Sequence, residues 1–344
     1  MSHYKVSVMT AENTVEFREL ELPRPQAEQV LVKVDSCAIC TMEQRVYTGK
    51  MQYYPFCGGH EVSGTVAEVG AGVRVASPGD KVTVRLLTAC GQCYYCRSGH
   101  ENQCEVSFKA AVHAGLGGPG GLAEYMLVDA GTVYPMEDDI DLTGASLTEP
   151  LACCVHSVGQ GDVRLGDDVV VIGAGVMGCF HIRLAKLRGA RVIACEVDPA
   201  RLEMARRMGA DVLVNSGETD PVAAVKGSTG GRGADVVFCT AALVDLAGQA
   251  VAMTGKLGRC VMYSSFHPKK PIDLDVNNVH YSEMIITGSV NPNRRDFLTA
   301  ARLLSYKMVD PLPLISEVVP FERLDYAFQR AIDPKTYRIV VKMR

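Results

Sequence analysis

The sequence lacks the features of several protein classes. Positive charge is not in excess, since 35 lysines and arginines face 39 aspartates and glutamates in 344 residues, and this argues against nucleic acid as a partner. The chain has neither the apolar core of a secretory leader nor a run of roughly 20 apolar residues that would span a membrane. Its thirteen cysteines are too few for a disulfide scaffold. We therefore expect a soluble, cytoplasmic protein without a membrane partner, long enough for two domains of roughly 150 residues.

The pattern of apolar, glycine and proline residues changes along the chain. Up to about residue 154, short valine-rich runs alternate with glycine and proline, which predicts a β-rich domain. Between residues 155 and 290, strand-like runs such as Val169–Gly173 alternate with helical stretches such as Met177–Arg188, and this predicts a doubly wound parallel sheet. The predicted fold class is α/β, with a β-rich domain made of residues 1–154 and 291–344 and a nucleotide-type domain of residues 155–290 inserted between them.

Four of the cysteines follow the pattern C-x2-C-x2-C-x7-C, namely Cys90, Cys93, Cys96 and Cys104. Thiolates at this spacing can close a tetrahedral shell around Zn²⁺, and a closed shell is structural because it leaves no open coordination position. An iron–sulfur cluster is the alternative, although the usual run ends in C-x3-C-P. A zinc ribbon that binds nucleic acid is disfavoured because positive charges are few around these cysteines.

A second group of potential metal ligands is dispersed along the β-rich part. Cys40 and the sequence Gly59-His60-Glu61 can meet only through tertiary folding, and Glu149 lies just before the predicted domain junction. Mixed sulfur, nitrogen and oxygen donors leave a position open for water or substrate, as a catalytic zinc ion requires. The sequence therefore predicts a catalytic zinc site here, and leaves open whether Glu61 or Glu149 is the direct ligand.

A glycine motif follows the apolar run Val169–Ile172. Gly173, Gly175 and Gly178 form G-x-G-x-x-G in a strand-to-helix setting, which predicts a dinucleotide pyrophosphate at the helix N-terminus. We expect Gly173 to permit the tight turn, Gly175 to let the backbone approach the pyrophosphate, and Gly178 to allow close packing. The intervening residues of the cofactor-binding segment are Val176 and Met177.

An acidic residue at the end of the second strand of such a unit accepts hydrogen bonds from the ribose hydroxyls and repels a 2′-phosphate. Glu196 and Asp198 compete for this role. Asp198 precedes Pro199 and is expected to cap the next helix, so Glu196 is preferred and NAD is favoured over NADP.

In chain order, these motifs resemble the zinc-dependent medium-chain dehydrogenase/reductase family over essentially the full length. The resemblance implies a GroES-like catalytic domain and a Rossmann-fold NAD-binding domain. Glu149 matches the glutamate that the sorbitol (polyol) and threonine dehydrogenase branches carry where alcohol dehydrogenases proper have a third ligand cysteine. The resemblance also assigns cofactor contacts to Glu196, Arg201 and Arg338, the last toward the pyrophosphate.

One position departs from the family pattern. Family members carry a hydroxyl two residues after the ligand cysteine, which starts a proton relay, whereas this chain has Met42, and a thioether cannot pass a proton. Thr41, water or a substrate hydroxyl would then carry the proton, or the activity is unusual. Glu43 matches the family's acid, and we expect it to accept a hydrogen bond from the ring of His60.

These observations predict a zinc-dependent oxidoreductase that transfers hydride from a secondary alcohol to NAD, with one catalytic and one structural zinc ion. The expected substrate is a small polar alcohol such as a polyol or sugar alcohol. The alternatives are an amino-acid dehydrogenase of the L-threonine 3-dehydrogenase kind and, because of Met42, an NAD-binding protein without turnover. The resemblance implies a homodimer or homotetramer, with the strand Met284–Gly288 a candidate for pairing across a two-fold axis.

Overall fold

The computed structural model describes residues 3–106, 112–113 and 115–343, and for residues 112 and 113 the backbone alone. The chain divides into two compact units, one formed by Met1–Ala152 with Asn293–Arg344 and the other by Cys153–Pro292. The predicted boundaries, after residues 154 and 290, lie two residues away from those of the units. Within the described ranges no helix is both long and apolar enough to cross a membrane.

The N-terminal part is rich in strands. Its strands are β1 (His3–Ala11), β2 (Thr14–Glu21), β3 (Gln29–Ala38), β4 (Glu61–Val69), β5 (Lys81–Arg85), β6 (Val112–His113), β7 (Leu116–Gly117), β8 (Tyr125–Asp129) and β9 (Val133–Pro135). Its helices are α1 (Thr41–Tyr47), α2 (Tyr94–Arg97), α3 (Leu142–Ala145) and α4 (Thr148–Gly161). The valine-rich runs predicted as strands lie within β3, β4 and β5, whereas the fourteen-residue helix α4 was not predicted.

The middle of the chain alternates strands and helices, as predicted. The strands are β10 (Asp168–Ile172), β11 (Arg191–Glu196), β12 (Val212–Asn215), β13 (Ala234–Cys239), β14 (Thr254–Met262) and β15 (Ile285–Gly288). The helices are α5 (Val176–Leu187), α6 (Pro199–Met208), α7 (Pro221–Ser228), α8 (Val244–Met253) and α9 (Val276–Ser282).

All pairs in this sheet are parallel, in the order β12-β11-β10-β13-β14-β15. This is the Rossmann order, and it confirms the predicted doubly wound sheet. Ligands of such sheets bind beyond the carboxyl ends of the strands, where the strand order reverses. In this unit the reversal lies between β10 and β13, next to the glycine motif.

The last segment returns to the first unit through α10 (Arg294–Ser305), β16 (Ile315–Pro320), α11 (Leu324–Ala331) and β17 (Arg338–Lys342). Strand β17 pairs antiparallel with β3 and parallel with β16, which gives the sheet order β16-β17-β3-β4-β5-β9, with β8 also on β3. Ile339, Val340 and Val341 are fully buried, so burial of apolar surface holds the C-terminal strand in place.

Candidate functional site

The four-cysteine segment forms a compact cluster in the first unit. The Sγ atoms of Cys90, Cys93, Cys96 and Cys104 all lie within 4.8 Å of one another, which confirms that the motif brings the four thiols together. Main-chain amides point at the sulfurs: Cys93 N–H donates to the Sγ of Cys90 at 3.3 Å, and Cys90 N–H donates to the Sγ of Cys104 at 3.3 Å. Amides of this kind lower the pKa of Cys93 to about 6. The donor set fits a closed thiolate zinc site.

A second cluster centres on His60. Donor atoms of Cys40, Glu43 and His60 lie within 4.8 Å of one another, and those of His60, Glu61 and Glu149 form another such group, so the structure brings every predicted ligand beside one imidazole. Cys40 precedes α1, His60 precedes β4, Glu61 begins β4, and Glu149 lies in the first turn of α4.

The glycine before His60 is required by the fold. Gly59 has φ +96°, and a Cβ there would lie 2.5 Å from the backbone nitrogen of Leu122. Any other residue would therefore displace His60 from the cluster.

Glu43 supports His60 as predicted. Its Oε1 lies 2.7 Å from His60 Nδ1 and accepts the Gly59 amide at 3.0 Å. Burial raises the pKa of Glu43, but the facing His60 outweighs this and the net pKa lies below its ordinary value. Glu43 holds the ring proton on Nδ1, and this leaves the lone pair of Nε2 for a metal ion.

Charge and hydrogen bonding in this cluster fit a bound cation. Glu43 is fully buried, and its Oε2 has no hydrogen-bond partner among the described residues. Cys40 and Glu149 add further acidic groups beside the same imidazole, whereas the charge of Glu61 is balanced by Arg338. A buried carboxylate is normally paired or coordinates a metal, and a divalent ion would offset this accumulation of negative charge.

Glu61 is engaged by a residue distant in sequence. Arg338 Nε donates to Glu61 Oε2 at 2.9 Å, and Arg338 Nη2 donates to Oε1. The two side chains are 8% and 0% exposed. Burial raises the pKa of Glu61, and the guanidinium of Arg338 opposes this shift. This pairing was not predicted from the sequence, and the pyrophosphate contact expected for Arg338 stays a prediction.

At the relay position, Met42 and its neighbour Thr41 have different environments. Met42 is half-buried and packs against the apolar core of the first unit. Thr41, at the start of α1, is exposed. The catalytic role that was assigned to Thr41 remains a prediction, because its side chain is exposed and is not buried against the cluster around His60.

In the second unit, the structure requires glycine at two of the three motif positions, for different reasons. Gly173 has φ +93°, which favours glycine, and a Cβ on Gly178 would lie 1.9 Å from the Gly173 carbonyl oxygen. Gly175 has no such constraint, because a Cβ there would meet only Arg201 Nη1 at 3.5 Å, an ordinary contact. The chain's own packing therefore does not require glycine at position 175, and the role expected of Gly175 in the approach of a pyrophosphate stays a prediction.

The two acids after β11 have different partners, and the ribose contact expected of Glu196 stays a prediction. Asp198 caps α6, accepting from the amides of Ala200 and Arg201 at 2.8 and 3.3 Å. Glu196 turns toward the glycine motif, where its Oε2 accepts from the Ala174 amide at 2.8 Å and its Oε1 from the Val197 amide at 2.7 Å. The carboxylate is held by main-chain amides beside the segment that would carry the dinucleotide.

Comparison with known proteins agrees with this geometry. Residues 26–138 match the family model described as alcohol dehydrogenase GroES-like domain, and residues 176–306 match the one described as zinc-binding dehydrogenase. The chain is 30% identical to D-arabitol-phosphate dehydrogenase of Enterococcus avium, over 95% of this chain and 93% of the relative. It is 31% identical to L-threonine 3-dehydrogenase of Bacillus subtilis, over 90% of both.

The fold is shared with a solved zinc-binding dehydrogenase of Sinorhizobium meliloti bound to NADP. The TM-score is 0.91 at 25% identity, covering 99% of this chain and 100% of that one. The clustered zinc-type ligands, the Rossmann sheet and these similarities together show that the chain belongs to the zinc-dependent medium-chain alcohol dehydrogenase family.

Proposed function

We propose that the protein oxidises a secondary hydroxyl of a small polar alcohol, such as a polyol or sugar alcohol, with NAD as hydride acceptor. The observation that carries the proposal is the convergence of a thiol, an imidazole and carboxylates around His60, with Glu43 fixing the imidazole from behind. Such a mixed set is suited to a catalytic zinc ion and not to a closed structural one.

Cys40, His60 and Glu149 are the proposed ligands of the catalytic ion. Glu61 is less suited to direct ligation at rest because Arg338 occupies both of its carboxylate oxygens. Zinc held there supplies Lewis acidity that lowers the pKa of a substrate hydroxyl. Cys90, Cys93, Cys96 and Cys104 are the proposed ligands of a second, structural zinc ion.

The chain's own groups prepare this site for proton and hydride loss from the alcohol. Glu43 Oε1 retains the proton of His60 at Nδ1, and the Glu61–Arg338 pair keeps a buried charge balanced beside it. The proton of the alcohol leaves through Thr41, water or a second substrate hydroxyl, because Met42 cannot accept it.

NAD is proposed as the cofactor because the Glu196 carboxylate is held beside the glycine motif, where it would repel a 2′-phosphate. The NADP bound to the Sinorhizobium relative makes this choice worth testing. Glu196→Gln retains length and an acceptor oxygen but removes the charge, so the ratio of kcat/KM for NADP to that for NAD should rise about tenfold or more. Asp198→Asn is the matched control, since Asp198 caps α6, and it should leave the ratio unchanged. An unchanged ratio in Glu196→Gln would move the discrimination elsewhere.

The substrate class is tested by following NAD reduction at 340 nm with polyols, polyol phosphates, sugar acids and L-threonine. The polyol proposal expects the highest kcat/KM with a compound bearing adjacent hydroxyls. Highest activity with L-threonine would support the amino-acid alternative, which the Bacillus relative's name motivates. If zinc-loaded protein that binds NAD reduces it with none of these compounds, the result would support the alternative of an NAD-binding protein without turnover, which Met42 suggests.

We further propose a cytoplasmic homodimer or homotetramer. Strand β15 lies at the edge of the six-stranded sheet, as expected, and Ile285 on it is 41% exposed. The thirteen cysteines are all free of disulfides, which supports a reducing compartment. Light scattering after gel filtration would measure the assembly, and a monomer at micromolar concentration would refute it.

A further inference from the structure

A buried histidine in the second unit has no part in the mechanism above. His181 lies in the second turn of α5 and is fully buried, as is Ser157 in α4. The His181 Nε2 lies 2.8 Å from Ser157 Oγ, and its Nδ1 lies 2.7 Å from the Met177 carbonyl oxygen. The rings of Phe238 and Tyr263 pack on the imidazole, with centroids 4.8 and 4.7 Å away. The ring is therefore held in one orientation.

These two contacts assign the protons of the imidazole. A carbonyl oxygen can only accept, so Nδ1 carries the hydrogen and donates it to Met177. Nε2 is then the acceptor of the Ser157 hydroxyl proton. Burial lowers the pKa of His181 to about 4, which agrees with a neutral ring at ordinary pH.

The carbonyl of Met177 receives a second side-chain donor. Cys154 Sγ lies 3.5 Å from the same oxygen, and Cys154 is fully buried. Cys154 and Ser157 are three residues apart on α4 and so share one face of that helix. Helix α4 thus reaches the Met177 carbonyl directly through Cys154 and indirectly through Ser157 and His181.

This carbonyl belongs to the peptide unit that ends in the Gly178 amide. The first intrahelical bond of α5 is donated by Cys179 to the Gly175 carbonyl, so the Gly178 amide is one of the N-terminal amides without an intrahelical acceptor. Such amides bind phosphate groups at helix N-termini. Hydrogen bonds accepted by one end of a peptide unit polarise it and strengthen donation at the other end.

We propose that His181 is a positioning residue for the dinucleotide pyrophosphate: its Nδ1–H holds the Met177 carbonyl and thereby orients and polarises the Gly178 amide. This inference rests on the proposed dinucleotide-binding function. It differs from a packing role because it assigns the effect to one ring nitrogen.

Two substitutions separate the ring nitrogens. His181→Asn retains an N–H near the position of Nδ1 but does not reach Ser157, whereas His181→Gln places its amide near the position of Nε2 and leaves Met177 without that donor. Both remove the ring contacts to Phe238 and Tyr263. Asparagine is the smaller side chain, so a pure packing role would weaken His181→Asn at least as much as His181→Gln. NADH affinity is measured from nicotinamide fluorescence, which is free of indole signal because the chain has no tryptophan.

The expected result is a dissociation constant within about twofold of wild type for His181→Asn and about 3- to 10-fold weaker for His181→Gln, the size of one hydrogen bond. Steady-state rates should show the loss in KM for the nucleotide and not in kcat. Equal weakening in both variants, or none in either, would overturn the inference.

Thermal unfolding of both variants checks that they fold. If either is unfolded, Ser157→Ala replaces the pair: it retains the ring and the Nδ1–H that the Met177 carbonyl accepts and removes only the Nε2 contact, so NADH affinity should stay within about twofold of wild type. A loss of about threefold or more in Ser157→Ala would assign the effect to Nε2 and overturn the inference. A wild-type protein that binds neither NADH nor NADPH would overturn the proposed function together with it.

Discussion

Replacing Glu43 by glutamine tests how the metal-binding histidine is supported. Glu43→Gln retains an acceptor for His60 Nδ1 and the Gly59 amide, which lie 2.7 and 3.0 Å from Oε1, but removes the charge. Hydrogen bonds to a charged group contribute about 1.5–3 kcal/mol and neutral ones about 0.5–1.5. The Gly59 bond is present with and without zinc, so only the bond to His60 affects zinc affinity, and its loss is about 1–1.5 kcal/mol. At about 1.4 kcal/mol per factor of ten, this corresponds to roughly 5- to 12-fold weaker zinc binding.

This loss lies at the lower end of the roughly 10- to 100-fold losses in metal affinity that follow when partners of metal-binding histidines are changed. The assay is competition with a chromophoric chelator, which resolves the catalytic and the cysteine-cluster zinc as two release steps. The step assigned to the cysteine cluster should not move. Glu124→Gln is the matched control, because Glu124 accepts the Lys5 amide at 2.7 Å and belongs to neither ligand group.

Release of zinc from Glu43→Gln at the wild-type chelator concentration would refute the supporting role of Glu43. Equal weakening of both release steps would also refute it, since a general loss of folding would then explain the result. The buried Oε2 has no partner in the described residues, so the amide group that replaces it gains no compensating hydrogen bond there.

The remaining predictions concern metal content, ion pairing and pH. Cys40→Ala should abolish turnover and leave one zinc ion per chain, whereas Cys96→Ala should chiefly lower the unfolding temperature. Elemental analysis measures the zinc content and calorimetry the unfolding temperature. The reverse pattern would mean that the two sites are interchanged. Arg338→Met should lower the free energy of unfolding by about 3–5 kcal/mol, because it leaves Glu61 buried and unpaired. Adding Glu61→Gln should restore part of this free energy in urea titrations. No recovery would show that the two side chains are not coupled. Because the pKa of His181 is about 4 when folded and about 6.5 when unfolded, the unfolded chain binds its proton first as pH falls. The stability present above pH 6.5 should then decline by up to about 3 kcal/mol toward pH 4, and His181→Gln should lack this part of the decline in urea titrations.

Local signals in the sequence predicted the second unit well. The predicted strand Val169–Gly173 and helix Met177–Arg188 lie within one residue of the observed β10 and α5. Asp198 and Pro199 define the start of α6 locally, through a side-chain cap and a fixed φ, and no tertiary contact is needed for either. The central strand β10 was predictable because it is buried on both faces and is therefore uniformly apolar.

Helix α4 shows where local signals were misjudged. Thr148 and Pro150 are compatible with a helix start, since proline is tolerated in the first turn. Glu149 was predicted as a metal ligand at a domain junction, and no helix was predicted for the apolar residues that follow it. Cys154 and Ser157, which contact the first turn of α5 and its histidine, were missed for this reason.

By itself the sequence determined the donor types and the glycine positions, because the spacing of ligands in a short loop and the lack of a Cβ are local properties. Tertiary structure alone decided which acidic side chain pairs with which basic side chain. Glu61 and Arg338 are 277 residues apart, and they meet because β17 pairs with β3, which in turn pairs with β4. The same holds for His181, whose partner is on another helix and whose burial, a property of the packed unit, keeps the ring neutral.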